Sequence, residues 1–351
     1  MARPLRKIAF VLEEFRPGDP GAQLLDRFLG GYPRDGGFRR LEGVRMTLLA
    51  GAPVAEGGEG AEVERRMKDF GLARAGSAEE ALKDADAAVV GWRAGAVPDD
   101  ALLERVLREL PAGAPCFVNG ALGSSPRAAA AALALADSRG VPLAAGTSLT
   151  VAHRLPELVV QAGARLEQAL IAVQGEFPQA EHEALEGLLP FIAPRVGAAP
   201  PERARRFAGE EVWRAGEEGA WSRELLAAAL SRSNNVQGDP EKDGRTQDVF
   251  GLGLVPRLAK SPRAWVLDHA GGFRAVILVL DGVIADCNLA VQEAGGRIFS
   301  TQLYRPPRPN QAEFHQLAAV VESFFLTGTP PWPRERALAI SAALALIRAP
   351  G

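Results

Sequence analysis

The first 145 residues alternate short apolar runs with amphipathic ones, and this alternation restricts the fold more than any other feature of the chain. KIAFVL (Lys7 to Leu12), VRMTLLA (Val44 to Ala50) and AAVVGW (Ala87 to Trp92) read as buried strands. Between them, GAQLLDRFLGGY (Gly21 to Tyr32) and AEVERRMKDFGL (Ala61 to Leu72) read as helices, the first ended by Gly30-Gly31. Ser77 and Glu80 have the spacing of a capping box and open the short helix AEEALKDA. A helix over Asp99 to Leu110 and the strand Cys116 to Val118 follow. Next come a helix with Ser125 before it, Pro126 in its first position and Gly140 at its end, and the strand VPLAA. Strands and helices in strict alternation predict a doubly wound parallel sheet.

From Leu166 the pattern changes. LEQALIAVQG reads as a strand, AEHEALEGLLPFI as a helix, and Ala198 to Ala208 as an Arg- and Pro-rich connector; EEVWRA and SRELLAAALSRS read as helices. The stretch from Asn234 to Lys260 is polar and the longest irregular region. RAWVLDHAGGFRAVILVLDGVIADCNLAV reads as antiparallel strands turning at Ala270-Gly271-Gly272 and at Asp281-Gly282, with GGRIFSTQLY as a further strand. Two helices close the chain. The change of pattern places a boundary near residue 150, giving domains over 1–150 and 151–351, and the closing helices are candidates to pack back on the first domain.

Composition excludes several classes. A net charge of −3 with 24% charged residues offers no basic surface for nucleic acid or an anionic membrane. Cys116 and Cys287 are too few and too far apart for a disulfide framework or a metal knot, and each is expected to pack as a small apolar residue. The apolar run near the start is broken by Glu13 and Glu14, and no run reaches 18 apolar residues, so a cytoplasmic protein is expected. Only five of the 40 basic residues are lysines, which shortens any search for a catalytic amine.

GSAEEALKDADAAVVGW resembles the short helix and third main strand of the Gfo/Idh/MocA oxidoreductases. CFVNGALGSSPRAAAAALALADSRGVPLAAGTS is similar to the strand, loop and helix after that family's Glu-Lys-Pro motif, and FHQLAAVVESFFLTGTPPWPRERALAISAAL is similar to its closing helices and the turn between them. The resemblance covers nearly the whole chain as architecture and points to a divergent branch. It implies an α/β protein with an N-terminal Rossmann-like domain and a C-terminal α+β domain holding a large, mostly antiparallel sheet. It also implies NAD or NADP as cofactor, a sugar or polyol as substrate, and a homodimer or homotetramer formed through the C-terminal sheet. FRAVILVL and RIFSTQLY are apolar enough to need such a cover.

The residues depart from this pattern at both chemical ends. Val118-Asn119-Gly120 stands where the family has Glu-Lys-Pro, and Asn119 can orient a hydroxyl but cannot accept its proton. After the first strand, EEFRPGDPGAQ replaces the Gly-x-Gly-x-x-Gly turn, so Glu13, Glu14 and Asp19 meet an expected polyanion. Arg16, Gly18 and Gly21 are the remaining candidates for an anion-binding turn, with Trp92 and Asn119 beside them. The second strand ends LLAGAP, with no acid for the ribose.

Other candidates lie further on. Thr147, Ser148 and Thr150 supply hydroxyls near the predicted domain junction, with His153 as acid/base and Arg154 to hold a substrate. The alternative is a hydrogen-bonded hinge with Arg154 paired to Glu157. GEFPQAEHEALE resembles the family's Asp-and-His segment, in a register that leaves His182 and Glu183 both open as the substrate-facing residue. His182 and Glu186 share a helical face and could act as an acid/base pair or bind a metal, although two such groups alone do not define a metal site, and a solvated charged face is the preferred reading. Tyr304 and Arg305 suit a sugar-contacting loop or an interface strap. Lys242 and Lys260 are the amines that could replace the missing lysine. Three functions stay open: an NAD(P)-dependent oxidoreductase of a sugar or polyol with a rebuilt site, a non-redox lyase, isomerase or hydrolase, and a non-catalytic binding or scaffold protein.

Overall fold

The computed structural model describes residues 4–50, 58–93, 95–235, 253–307 and 310–349. Lys242, within the long polar stretch, lies outside these residues. The first elements are β1 (Lys7–Leu12), α1 (Pro20–Gly30), β2 (Tyr32–Arg34), β3 (Gly37–Arg39), β4 (Arg45–Ala50), α2 (Gly58–Phe70) and β5 (Ala73–Arg74). Next come α3 (Ala78–Leu82), β6 (Ala87–Gly91), α4 (Asp100–Glu109), β7 (Cys116–Asn119), α5 (Pro126–Arg139) and β8 (Leu143–Gly146). The later ones are β9 (Arg154–Leu155), β10 (Leu166–Val173), α6 (Gln179–Ile192), β11 (Pro201–Ala208), α7 (Glu210–Glu217), α8 (Arg223–Leu230) and α9 (Leu254–Leu258). The chain closes with β12 (Arg263–His269), β13 (Arg274–Val279), β14 (Cys287–Glu293), β15 (Ile298–Leu303), α10 (Ala312–Thr327) and α11 (Arg334–Arg348).

Backbone contacts divide the chain into two compact units, residues 1–151 with 308–341 and residues 152–307 with 342–351. The first holds a six-stranded sheet in the order β5-β4-β1-β6-β7-β8, parallel at every pairing. β1 and β6 are buried along their whole length, as helices on both faces require. One face packs Phe10, Phe28 and Tyr32 against Phe314, Leu317 and Phe325 of α10; the other packs Val90, Val118 and Leu143 against α4 and α5. Ser77 caps α3 as predicted, with Glu80 reaching back to the amide of Gly76 at 2.7 Å. Ser125 caps α5, and Gly140 closes it in the left-handed conformation.

The hairpin of β2 and β3 has no counterpart in the sequence reading. Asp35 and Gly36 both have positive φ between its strands, the conformation that Asp-Gly favours in a two-residue turn. Glu322 of α10 fastens it: its buried carboxylate accepts from Tyr32 Oη at 2.5 Å and from Arg39 Nε at 2.8 Å. Burial, and then this hydrogen bond, push the Tyr32 hydroxyl above its usual pKa. At the sheet's other end, the indole N–H of Trp332, from the Pro-rich turn before α11, donates to Ala145 O of edge strand β8 at 2.8 Å. The turn thereby covers a strand edge that would otherwise present open carbonyls.

The second unit has a seven-stranded sheet in the order β11-β12-β13-β10-β14-β15-β9, parallel only between β10 and β13. Three expectations change here. The Arg-rich connector is instead edge strand β11, with Arg203 exposed, Arg205 paired with Asp268 at 2.9 Å, and Pro201 at its first position, as an edge tolerates. Asp281-Gly282 does not close a hairpin, because β10 lies between β13 and β14. Residues 254–258, within the predicted irregular stretch, form α9.

The apolar strands also find their cover inside the chain. Trp213 of α7, Trp221 of the turn that follows it, and Leu225 and Leu226 of α8 pack on the sheet face bearing Leu170, Ala172, Val276, Leu278 and Ala290, while α6 lies over β10 and β13 outside that cluster. Every residue of FRAVILVL except Arg274 is buried within the chain, while Ile298 and Phe299 of RIFSTQLY are half-buried.

Candidate functional site

In a doubly wound sheet, ligands bind beyond the carboxyl ends of the strands, at the point where strand order reverses. Here that point lies between β1 and β6. Leu12 leads directly into Glu13, whose amide donates to Gly91 O at 2.9 Å and whose carboxylate accepts from the amide of Arg93, also at 2.9 Å. Glu14 pairs with Arg16 at 2.7 Å, so the guanidinium proposed to hold a phosphate already holds a neighbouring carboxylate. Gly18 has φ +92°, and α1 then opens with Pro20, which has no N–H to offer. Gly21 lets α1 pack closely on β1, since a Cβ there would lie 2.8 Å from Leu12 Cδ2 and force that side chain to shift.

At the tip of β7, the next strand beyond β6, the arrangement is different. Asn119 is 4% exposed, and neither its Oδ1 nor its Nδ2 finds a hydrogen-bond partner among the described residues. Gly120 has φ +139°, and a Cβ on it would lie 2.9 Å from the ring of Trp92. Trp92 itself is buried and donates to Ala121 O at 2.8 Å, which holds the β7–α5 loop in place. Asn119 is in register with Gly146 of β8, and Thr147 follows it, with an Oγ1 that is likewise buried and unpartnered among the described residues. Ser148 is buried beside it, while Thr150 Oγ1 accepts from Arg336 Nη2 at 2.6 Å. Asn119 and Thr147 thus project from adjacent strand ends with their hydrogen bonds unmade.

The remaining candidates belong to the second unit. Arg154 is held structurally: it donates to Leu158 O at 2.8 Å, lies 4.5 Å from the centre of the Phe191 ring and is 3.7 Å from Glu157. His153 is exposed, and its carbonyl accepts from the amide of Tyr304 at 2.8 Å, extending the β15–β9 ladder. On α6, Glu183 accepts from Gln179 at 3.0 Å and from Arg305 at 2.9 Å, so both of its oxygens are engaged. His182 faces away from that pair, with Nε2 3.6 Å from the buried Glu186. Lys260 is exposed, and its stem packs near Gly282. Among the described residues no cluster of three metal-ligating side chains occurs, and no helix is long and apolar enough to cross a membrane.

No family model matches the chain, and no curated protein matches it in sequence. Solved structures match it in shape. GenD2 from gentamicin A biosynthesis, in complex with NAD, has 16% identity and a TM-score of 0.59 over 99% of this chain and 94% of its own. Scyllo-inositol dehydrogenase from Lactobacillus casei has 11% identity and a TM-score of 0.56, over 99% and 96%. Biliverdin reductase from Synechocystis sp. PCC 6803, with biliverdin and NADP+, has 10% and 0.55, over 97% of each chain. The chain has the fold of the Gfo/Idh/MocA-type oxidoreductases. Identities this low establish the fold alone.

That fold implies a dinucleotide at the β1 end, and the residues there do not fit one in the usual pose. A pyrophosphate needs approachable backbone N–H groups at a helix N-terminus. This chain places the Glu13 carboxylate on the neighbouring amide, begins the helix with proline, and ends β4 at Ala50 without an acid. The sequence already showed glycines at the wrong spacing. The Glu13–Arg93 contact, which joins positions 80 apart, has no local signal.

Proposed function

We propose that this chain binds an uncharged, hydroxyl-rich small molecule of the sugar or polyol class on a dehydrogenase fold, without hydride transfer. The observation that carries the proposal is the Asn119 side chain, buried with both polar atoms unpartnered among the described residues. Leaving a buried polar group unsatisfied costs about 1–3 kcal/mol, so buried amides are normally completed by protein, water or ligand. A carboxamide offers one acceptor and two donors, and Thr147 adds a hydroxyl; together they suit a ligand whose own hydroxyls both donate and accept. From Val118 to Gly123, and from Ala145 to Ser148, no side chain is charged, so nothing at these tips complements an anion.

The same tip lacks the means for dehydrogenation. Oxidation of an alcohol requires a group that takes the hydroxyl proton, and an amide cannot do so. A second reading is an NAD(P)-dependent oxidoreductase of a sugar or polyol with His153 or His182 as base; the fold shared with NAD-bound GenD2 favours it. It needs a nucleotide pose that avoids Glu13.

Thermal unfolding in the presence of myo-inositol, glucose, NAD(H) and NADP(H) separates the two. A ligand that binds only the folded state adds about 2.7 kcal/mol at a hundredfold excess over its Kd. The binding reading predicts a rise in Tm with a polyol, lost in Asn119→Leu, and none with nucleotide. A rise with NAD(H) or NADP(H) would instead support the oxidoreductase.

A further inference from the structure

We infer that Glu13 is a resident anion that closes the strand-order reversal point to phosphates and so determines which ligands this fold can accept. The residue continues β1, yet its side chain turns onto β6's extension, where the carboxylate takes the Arg93 amide at 2.9 Å. Its own amide is bound to Gly91 O, so the backbone on both sides is fixed and the carboxylate has little freedom to leave. Gly21 and Gly91 let the first turn of α1 press on Leu12: the Cβ of a residue at Gly91 would lie 2.7 Å from Leu12 Cδ2 and 3.6 Å from Gly21 Cα. The helix start thus lies close to the end of β1, and the Glu13 carboxylate, held on the Arg93 amide, bridges the ends of β1 and β6 where the strand order reverses.

Three features of the loop act in the same direction. Pro20 removes one amide from the first turn of α1, Glu14 pairs with Arg16, and no other basic residue stands between Leu12 and Arg27 in the sequence. A phosphate placed at the ends of β1 and β6 would meet the Glu13 carboxylate, a like charge that repels it. A neutral ligand would meet no such barrier. Glu13 is therefore a specificity-determining residue that acts by exclusion. This inference does not depend on the polyol reading, because it concerns β1 and not the tips of β7 and β8.

The test uses the full chain with ADP and inorganic pyrophosphate as probes, followed by calorimetric titration and thermal unfolding. The unmodified chain should show no binding. Glu13→Gln, which keeps an acceptor for the Arg93 amide but removes the charge, should bind ADP measurably, about tenfold or more above the limit set by the unmodified chain. Glu13→Ala, which also frees that amide, should bind at least as well as Glu13→Gln. Hydrogen exchange at the Arg93 amide gives a readout without ligand: it should be slow in the unmodified chain and in Glu13→Gln, and faster in Glu13→Ala. ADP binding to the unmodified chain, failure of the folded Glu13→Gln to gain it, or fast exchange at Arg93 with Glu13 intact would each overturn the inference. Myo-inositol binding bears only on Asn119, so the two proposals fail separately.

Discussion

Two strand ends of one parallel sheet treat their polar groups in opposite ways. At the end of β1 the Glu13 carboxylate is satisfied by the Arg93 amide, and at the end of β7 the Asn119 carboxamide is buried without a partner among the described residues. Where the chain completes its own hydrogen bonds, it has no use for a ligand; where it leaves them unmade, folding stability is lower than it would otherwise be, and a ligand can restore it. On the proposed reading, the difference separates a residue that holds the fold from one that meets a ligand.

If that distinction is sound, the largest effect comes from breaking a completed contact. Glu322→Ala should cost about 3–4 kcal/mol in urea unfolding, because it strands the buried Tyr32 hydroxyl and leaves Arg39 without its carboxylate. A loss below about 1 kcal/mol would show that the hairpin is held by other contacts.

An effect of about 3 kcal/mol is expected from acid at His269. Burial is the main cause that brings its pKa down to about 4, opposed by the Ala199 carbonyl and assisted by Arg195. Above the ordinary value near 6.5 the imidazole is neutral in both states and its contribution is complete. As pH falls from about 6.5 to about 4, the unfolded chain takes up a proton that the folded chain refuses, so stability declines across that window. The His269→Gln variant should decline less than the unmodified chain there, and parallel curves would contradict the assignment.

Smaller effects test the open end. Asn119→Leu should leave stability unchanged or raise it by up to about 1 kcal/mol, since it removes a group with no described partner. A loss beyond 2 kcal/mol would mean that Asn119 is a structural residue. His153→Ala, at an exposed position, should change stability by less than about 0.5 kcal/mol.

Much of the fold was legible because its strands are apolar on both faces. β1, β6 and β7 read directly as short apolar runs between capped helices, and Ser77, Ser125 and Gly140 marked helix ends by local chemistry alone. β11 was not legible, since an edge strand keeps its charges, and Pro201 reads as a break. The adjacency of β10 to β13 and β14 depends on pairings over a hundred residues apart, which no turn motif specifies. Asn119 was legible as a candidate from its position on a strand tip. The partners of Glu13, Glu183 and Arg154 lie on other elements or depend on a loop's exact path, so the contacts of Arg16, Glu183 and Arg154 were not legible in the sequence.

The measurement closest to the central claim is the thermal midpoint of the unmodified chain and of Asn119→Leu, each with myo-inositol and with NAD(H). The account predicts a rise with the polyol in the unmodified chain only and no change with NAD(H) in either. A nucleotide-dependent rise in both proteins, with no response to the polyol, would contradict it.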